Sequence, residues 1–333
     1  MNKLLTIVVP VYKVEPYINK CLDSCILNDE KLMEQLEVII VNDGTPDNSA
    51  EMSREYVKRY PNTFRQIDKE NGGHGSAWNI GLKEATGKYL RFLDSDDWLS
   101  NLDKLMKKLH DTDADLVFSH MNIFWAYENR NEKHEIIDDY NVCKDFTEFN
   151  FSDNTELHTL DFWNTTYKLS VLQYNKDLFL EHVMYDDGIL FILPAIKAKT
   201  YMCCDFIVYN YFVGRADQSK GQERKLKSIR ARYKQGLYMH DFLMDYKEQI
   251  SSRIYQILSN KVGEYIKWFF FDLVYLPYFE SKKIHSICYT YIKETSIELG
   301  DSKVAKRFKK YPFFIFFVWE NLREFKRKLF EKK

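Results

Sequence analysis

The sequence predicts an α/β protein with a mostly parallel central sheet and flanking helices, followed by a helical C-terminal domain. Three observations predict it. Short β-branched runs alternate with helical stretches up to about residue 125, four of those runs end in polar or glycine-bearing loops, and helical spacing dominates from about Arg224 onward. The strand candidates are Leu4 to Val9, Leu36 to Val41, Phe64 to Asp68, Tyr89 to Leu93 and Asp115 to Phe124. The first four lead into Pro10-Val11-Tyr12, Asn42-Asp43-Gly44, Asn71-Gly72-Gly73 and Asp94-Ser95-Asp96-Asp97. In an open α/β sheet ligands bind outside the carboxyl ends of the strands, so these loops are expected to converge on one crevice.

The stretch 126–160 is polar and weakly periodic and reads as a loop or edge excursion, a candidate lid. Leu160 to Phe212 returns to mixed structure. At 333 residues the chain has room for a sizeable core, as one large domain with an appendage or as two domains. A formal net charge of -1 argues against nucleic-acid binding, which needs a basic face. The six cysteines lack paired Cys-x-x-Cys spacing and read as reduced core thiols. Met1-Asn2-Lys3 and the short run after it lack the pattern of a signal peptide, so a cytoplasmic location is expected.

Three of the loops carry candidate chemistry. Asp94-Ser95-Asp96-Asp97-Trp98 sets several carboxylates at a strand end, suited to a hard divalent ion that keeps waters and takes phosphate oxygens; the same residues also make good turn and helix-cap chemistry. Asn42 to Ser49 reads equally as a turn with an N-cap. Asn71 to Gly81 places glycines ahead of a helix, where backbone approaches closely and an N-terminus suits an anion, without matching a Walker or dinucleotide fingerprint.

In their order along the chain these motifs resemble glycosyltransferase family 2 with its GT-A, Rossmann-like fold. The resemblance runs through Thr6 to Tyr12, Val38 to Ser49, Glu70 to Gly73, and Ala85 to Tyr89 leading into Asp-Ser-Asp. Phe162-Trp163-Asn164, Tyr185-Asp186-Asp187 and Tyr211 to Ser219 look like acceptor-side motifs of the bacterial surface-polysaccharide members. It implies a GT-A domain over 1–220, with 1–125 the nucleotide-sugar half and 126–220 the acceptor half, while the helical spacing beyond it places a helical domain over 221–333. It also implies an inverting transfer from a nucleotide sugar, UDP by family habit, to a saccharide or lipid-linked saccharide in cell-surface polysaccharide synthesis.

By that resemblance Pro10, Tyr12 and Glu15 border the nucleoside, Asp43 binds base or ribose, and Asn71, Gly73 and Ser76 line the nucleotide and donor-sugar side. Asp94 contacts ribose or metal, Asp96 is the main ligand for Mg2+ or Mn2+, and Asp187 is the general base. The family usually has two acids before the glycine of its second strand; here the first is Asn42. Arg215 is either a pyrophosphate or acceptor clamp or half of a structural salt bridge. His74 reads as a proton acceptor or donor-sugar contact, or as a hydrogen-bonded structural residue. Trp98 and Trp163 read as sugar-stacking rings on the acceptor side or as core anchors.

At the C-terminal end, Tyr311 to Trp319 precede Arg323, Arg327 and Lys328, with Phe314, Val318, Leu322, Phe325 and Leu329 at helical spacing. Too short to span a bilayer, this stretch fits either an interfacial helix drawn to the inner face of the plasma membrane or a helix packed on the domain or on a homodimer partner. Two rival functions remain open from sequence: a sugar nucleotidyltransferase, whose first loop is glycine-rich where this one is Pro10 to Glu15, and a non-catalytic nucleotide-binding partner of another transferase.

Overall fold

The computed structural model describes residues 2–126, 130–134, 149–150, 161–174, 176–183, 186–214, 222–272 and 278–295. Arg215, Tyr185, Gln218, Ser219 and the stretch 311–333 lie outside the described residues, as does the side chain of Asp186. Two compact units divide the chain, Met1–Gln218 and Ser219–Lys333.

In the first unit the order is β1 (Leu5–Val11), α1 (Ile18–Asp23), α2 (Glu30–Gln35), β2 (Leu36–Asn42), α3 (Ser49–Arg59), β3 (Phe64–Asp68), α4 (His74–Glu84) and β4 (Tyr89–Phe92). There follow β5 (Trp98–Leu99), α5 (Leu102–His110), β6 (Leu116–Trp125), β7 (Arg130–His134), β8 (Phe149–Asn150), β9 (Thr165–Lys168), α6 (Leu169–Leu172), α7 (Ile189–Lys197) and β10 (Thr200–Val213). One sheet carries them in the order β3-β2-β1-β4-β9-β6-β10-β5, with β7 on β6 and β8 on β10. β3, β2, β1 and β4 run parallel, and β9 enters antiparallel between β4 and β6.

Every residue of β1 and β2 is buried, the pattern of parallel strands covered on both faces. α4 lies on β1 and β2 through small residues: Gly75, Ser76, Ala77 and Gly81 are buried, and Ala77 packs with Ile39 and Val41. β1 extends through Pro10 and Val11, two residues past the expected end. The Val8 carbonyl accepts from Leu93 on the β4 side, whereas the Val11 carbonyl accepts from Asp43 on the β2 side. Pro10, in phase with Val8, therefore turns its missing N–H toward β4, whose pairing with β1 has already stopped at Phe92, and no ladder bond is lost.

The second unit is helical where described: α8 (Gln222–Tyr246), α9 (Ser252–Asp272) and α10 (Tyr278–Thr295). Met239, Phe242, Leu243, Leu258, Val262 and Ile284 are buried there. Among the described residues no helix is long and apolar enough to cross a membrane. Cys21, Cys25 and Cys204 are free and buried, but Cys203 is disulfide-bonded, against the expectation of reduced thiols throughout.

Candidate active site at the strand ends

Because β1 to β4 run parallel, the loops that follow them share one edge of the sheet, and hydrogen bonds join them into a continuous rim. After β1, the Lys13 N–H donates to Thr45 Oγ1 (2.8 Å) and the Glu15 N–H to Asp47 Oδ2 (3.2 Å). Asn48 returns two bonds, N–H and Nδ2, to the Glu15 carboxylate, each at 3.2 Å. Glu15 thus ties its loop to the start of α3. Pro10 is buried beside it, while Tyr12 stands 42% exposed with the Lys13 ammonium 5.3 Å from its ring centroid. That leaves the Tyr12 ring open to a flat partner.

After β2, Asp43 is 3% exposed and its carboxylate is fully engaged. Oδ1 accepts from Lys69 Nζ (2.7 Å) and the Gly72 N–H (2.8 Å); Oδ2 accepts from Asn71 Nδ2 (3.0 Å) and the Gly73 N–H (2.9 Å). Four donors fill the lone-pair sites of a carboxylate, so Asp43 works first as the clamp on the glycine-rich loop. Gly73 can follow it there because its φ is +87°, and a Cβ at this position would meet the His182 backbone N at 3.1 Å. Asn42 faces Asp68, donating from Nδ2 to Oδ1 at 2.9 Å while its own Oδ1 accepts from the Thr45 N–H at 3.0 Å. An acid here would set two carboxylates against each other, which accounts for the departure from the family pattern.

Ser76 is 3% exposed, and its hydroxyl donates to Glu181 at 2.7 Å. His74, the first residue of α4, turns the other way. Its Nε2 lies 3.0 Å from Asp94 Oδ1, and its ring sits 4.1 Å from that of the buried Trp78. His74 is therefore the joint between the glycine-rich loop and the acidic loop.

The acidic loop after β4 brings Asp94, Asp96 and Asp97 together, one carboxylate oxygen of each within 4.8 Å of the others. The three are not equivalent. Asp97 is 1% exposed; its Oδ2 accepts from Tyr209 Oη (2.6 Å) and its Oδ1 from the Phe212 N–H (2.7 Å). Burial, and then the charges of Asp96 and Asp94, push the Asp97 carboxyl well above its usual range. Tyr209 Oη also accepts from the Asp94 N–H at 3.2 Å, so one phenol fixes the loop at two points. Asp94 and Asp96 are only partly buried. They form an oxygen donor pair suited to a hard divalent ion that completes its shell with water or phosphate, so the residues present fit the expected Mg2+ or Mn2+.

Beneath the loop, Arg91 is fully buried in β4. Its guanidinium donates to Thr166 Oγ1 (2.8 Å) and to the Trp163 carbonyl, and lies 5.7 Å from the Tyr209 ring centroid. Burial lowers its pKa to about 10, so it stays charged at neutral pH. Arg91 thereby fixes both the segment that carries Trp163 and the ring that holds the acidic loop. The Trp163 ring packs 5.3 Å from Tyr211 and 4.7 Å from Phe162. Asp187, partly exposed, sits in the single turn Asp186–Gly188 that leads into α7. With Asp161 it helps burial to push up the phenol of Tyr167 on β9.

The sequence reading missed Arg91, Lys69 and Tyr209. Arg91 had a signal, a lone cation inside the apolar run Tyr89 to Leu93. Tyr209 had none, because its partners lie 112 and 115 residues away.

Comparison with known proteins identifies the family and the fold. The model of glycosyl transferase family 2 matches residues 6–174, about half of the chain. The uncharacterized glycosyltransferase EpsJ of Bacillus subtilis (strain 168) is 40% identical over 119 residues, which is 35% of this chain and 33% of EpsJ. The matched region spans about a third of the length of EpsJ and 29% of that of glycosyltransferase GlyA of Streptococcus pneumoniae. Among solved structures, S. aureus TarS 1-349 aligns with a TM-score of 0.59 at 16% identity, covering 92% of this chain and 87% of that one. The mannosyltransferase PcManGT from Pyrobaculum calidifontis, in complex with GDP-Man and Mn2+, aligns at 0.52 and 14% identity, covering 97% and 87%. The fold is accordingly GT-A-like, as expected, and the chain belongs to glycosyl transferase family 2.

Proposed function

As a member of glycosyl transferase family 2, this chain, we propose, is an inverting, metal-assisted glycosyltransferase that moves a sugar from a nucleotide donor, a UDP-sugar, to a saccharide or lipid-linked saccharide of a bacterial surface polysaccharide. The observation that carries the reading is the cluster of Asp94, Asp96 and Asp97 after β4, in which Asp94 and Asp96 are only partly buried while Asp97 is 1% exposed.

Asp94 and Asp96 would hold Mg2+ or Mn2+, which supplies charge neutralisation for a departing diphosphate. PcManGT, the structural relative described with Mn2+, supports that choice of ion. Tyr12, the open ring at the end of β1, borders the nucleoside, with Pro10 and Glu15 shaping its loop. Asp43 acts through Asn71 and Gly73, whose positions it fixes, and Ser76 acts through Glu181. Asp187 accepts the proton of the acceptor hydroxyl as that oxygen attacks the anomeric carbon. The carbon–oxygen bond to the diphosphate breaks on the opposite face, the diphosphate leaves with the electron pair, and configuration inverts. Arg215 would steady the pyrophosphate or the acceptor. The GT-A domain over 1–220 would act on the cytoplasmic side, with the helical domain from 221 onward carrying the tail to the inner face of the membrane.

A screen of nucleotide sugars with and without Mn2+ tests the reading. Metal-dependent release of one nucleoside diphosphate is expected; every donor remaining intact and unbound would turn the assignment toward the non-catalytic partner. Vesicles of anionic lipid test the tail separately: the full chain should bind them and a chain lacking 313–319 should not, while equal binding removes the membrane part of the proposal.

A further inference from the structure

Beside the acidic loop lies a partly exposed group of rings whose most prominent feature is a cation. Trp98 follows Asp97 directly, and the Phe212 N–H bonds to Asp97, so both residues belong to the loop's immediate frame. Phe212 lies 5.9 Å from Phe124 with ring planes 14° apart, Trp98 lies 5.8 Å from Phe124, and Tyr17 lies 5.5 Å from Phe212. From α1, Lys20 places its ammonium 3.0 Å from the Trp98 ring centroid and 5.6 Å from that of Phe124. Its neighbour Cys21 points a thiol at the Asp94 carbonyl, 3.7 Å away, so α1 touches the acidic loop from this side as well.

Two features set Lys20 apart from an ordinary surface lysine. Among the described residues no carboxylate pairs with its ammonium, although Asp94, Asp96 and Asp97 crowd the adjoining loop. Its pKa is lowered by burial against the rings, with no opposing contribution from an acid. An indole face attracts an ammonium and orients it, which lowers the entropy lost when an anion arrives. The same contact covers the Trp98 face that the sequence offers to a sugar ring, and Phe124 and Phe212 beside it are partly exposed.

Resting on the transferase reading above, we propose that Lys20, held by Trp98 and Phe124, recognises an anionic group on the acceptor, whose sugar ring lies against Phe124 and Phe212. The acceptor is then an acidic glycoside. A carboxylate on the sugar and a phosphate on it share the chemistry that Lys20 reads.

Saturation-transfer NMR on the full chain distinguishes the two sources, using methyl glucuronide, glucose 6-phosphate and the neutral methyl glucoside as probes. At least one anionic probe should bind about fivefold more tightly than the neutral one, the ratio expected of a single half-exposed ion pair. The preference should vanish in Lys20→Met and persist in Lys20→Arg, with melting curves checking that each variant is folded. Equal binding of all three probes, or a preference that survives Lys20→Met, overturns the proposal. So does a loss of UDP affinity in Lys20→Met without change in glycoside binding, because Lys20 would then serve the donor. Wild type that binds UDP with Mn2+ but no glycoside defeats this inference and leaves the transferase reading standing; wild type that binds neither defeats that reading itself.

Discussion

The loops after β2 and β4 contain the same residue type at the same kind of place, an aspartate just past the end of a buried parallel strand, and the fold uses the two differently. Asp43 is enclosed by Lys69, Asn71, Gly72 and Gly73. Asp94, which meets His74, and Asp96 are only partly buried, in a loop that Asp97 and Tyr209 anchor. Strand-end acids are therefore of two kinds, those that build the crevice and those that face it. Burial, more than the number of acids, separates them.

The sharpest way to break this comparison is to exchange the two phenotypes. Asp96→Ala should lower donor turnover by roughly three orders of magnitude, the scale of several kcal/mol of lost charge stabilisation. Its effect on stability should stay within about 0.5 kcal/mol, since a partly exposed acid among like charges is removed. Asp43→Ala should do the reverse in kind, destabilising by about 3 kcal/mol because the Lys69 ammonium and two backbone N–H groups lose their acceptor. Urea unfolding of both variants checks the pair, and an Asp43→Ala protein as stable as wild type would erase the distinction.

A smaller effect belongs to the anchor. Tyr209→Phe leaves the buried Asp97 carboxylate without its hydroxyl donor and should cost about 1 to 3 kcal/mol in unfolding free energy, with a matching drop in metal affinity. Loss of stability without loss of metal affinity would show that the phenol supports the fold alone.

The smallest effect is a pair of opposite pH slopes. Burial raises Asp97, so in the folded chain its ionisation is disfavoured, and it destabilises increasingly as pH rises above about 4, the unfolded value. For Asp47, next to the Asp43 loop, burial also works to raise the carboxyl. Hydrogen bonds from Ser49, Thr45 and Glu15 outweigh it and hold the group below its usual value. Its stabilisation is present above about 4 and is lost as pH falls through the lower folded value. Melting curves between pH 3 and 8 should show Asp97→Asn gaining on wild type as pH rises, and the deficit of Asp47→Asn shrinking as pH falls below about 4. Parallel slopes would contradict the contrast.

Much of the scaffold was legible because it is local. Leu36 to Val41 and Tyr89 to Leu93 are compact buried runs closed by turn residues, and such runs declare strands wherever the rest of the chain goes. The entry of β9 between β4 and β6, and the length of β10, were not legible. Each depends on partners far along the chain, as when Arg91 reaches Trp163 or Tyr209 reaches Asp97. For the candidate site, the order of the strand-end motifs pointed to the family, but which acids are engaged inside the protein is fixed by donors such as Lys69 and Tyr209 that carry no motif. The cation on Trp98 was invisible for the same reason: Lys20 and Trp98 meet only in the fold.

Manganese binding tests most directly whether Asp94 and Asp96 hold the metal. Followed by electron paramagnetic resonance with UDP present, wild type should take up one Mn2+ per chain, and Asp96→Ala should bind it at least about tenfold more weakly, a loss of about 1.4 kcal/mol. Equal Mn2+ affinity in the two proteins would contradict the account.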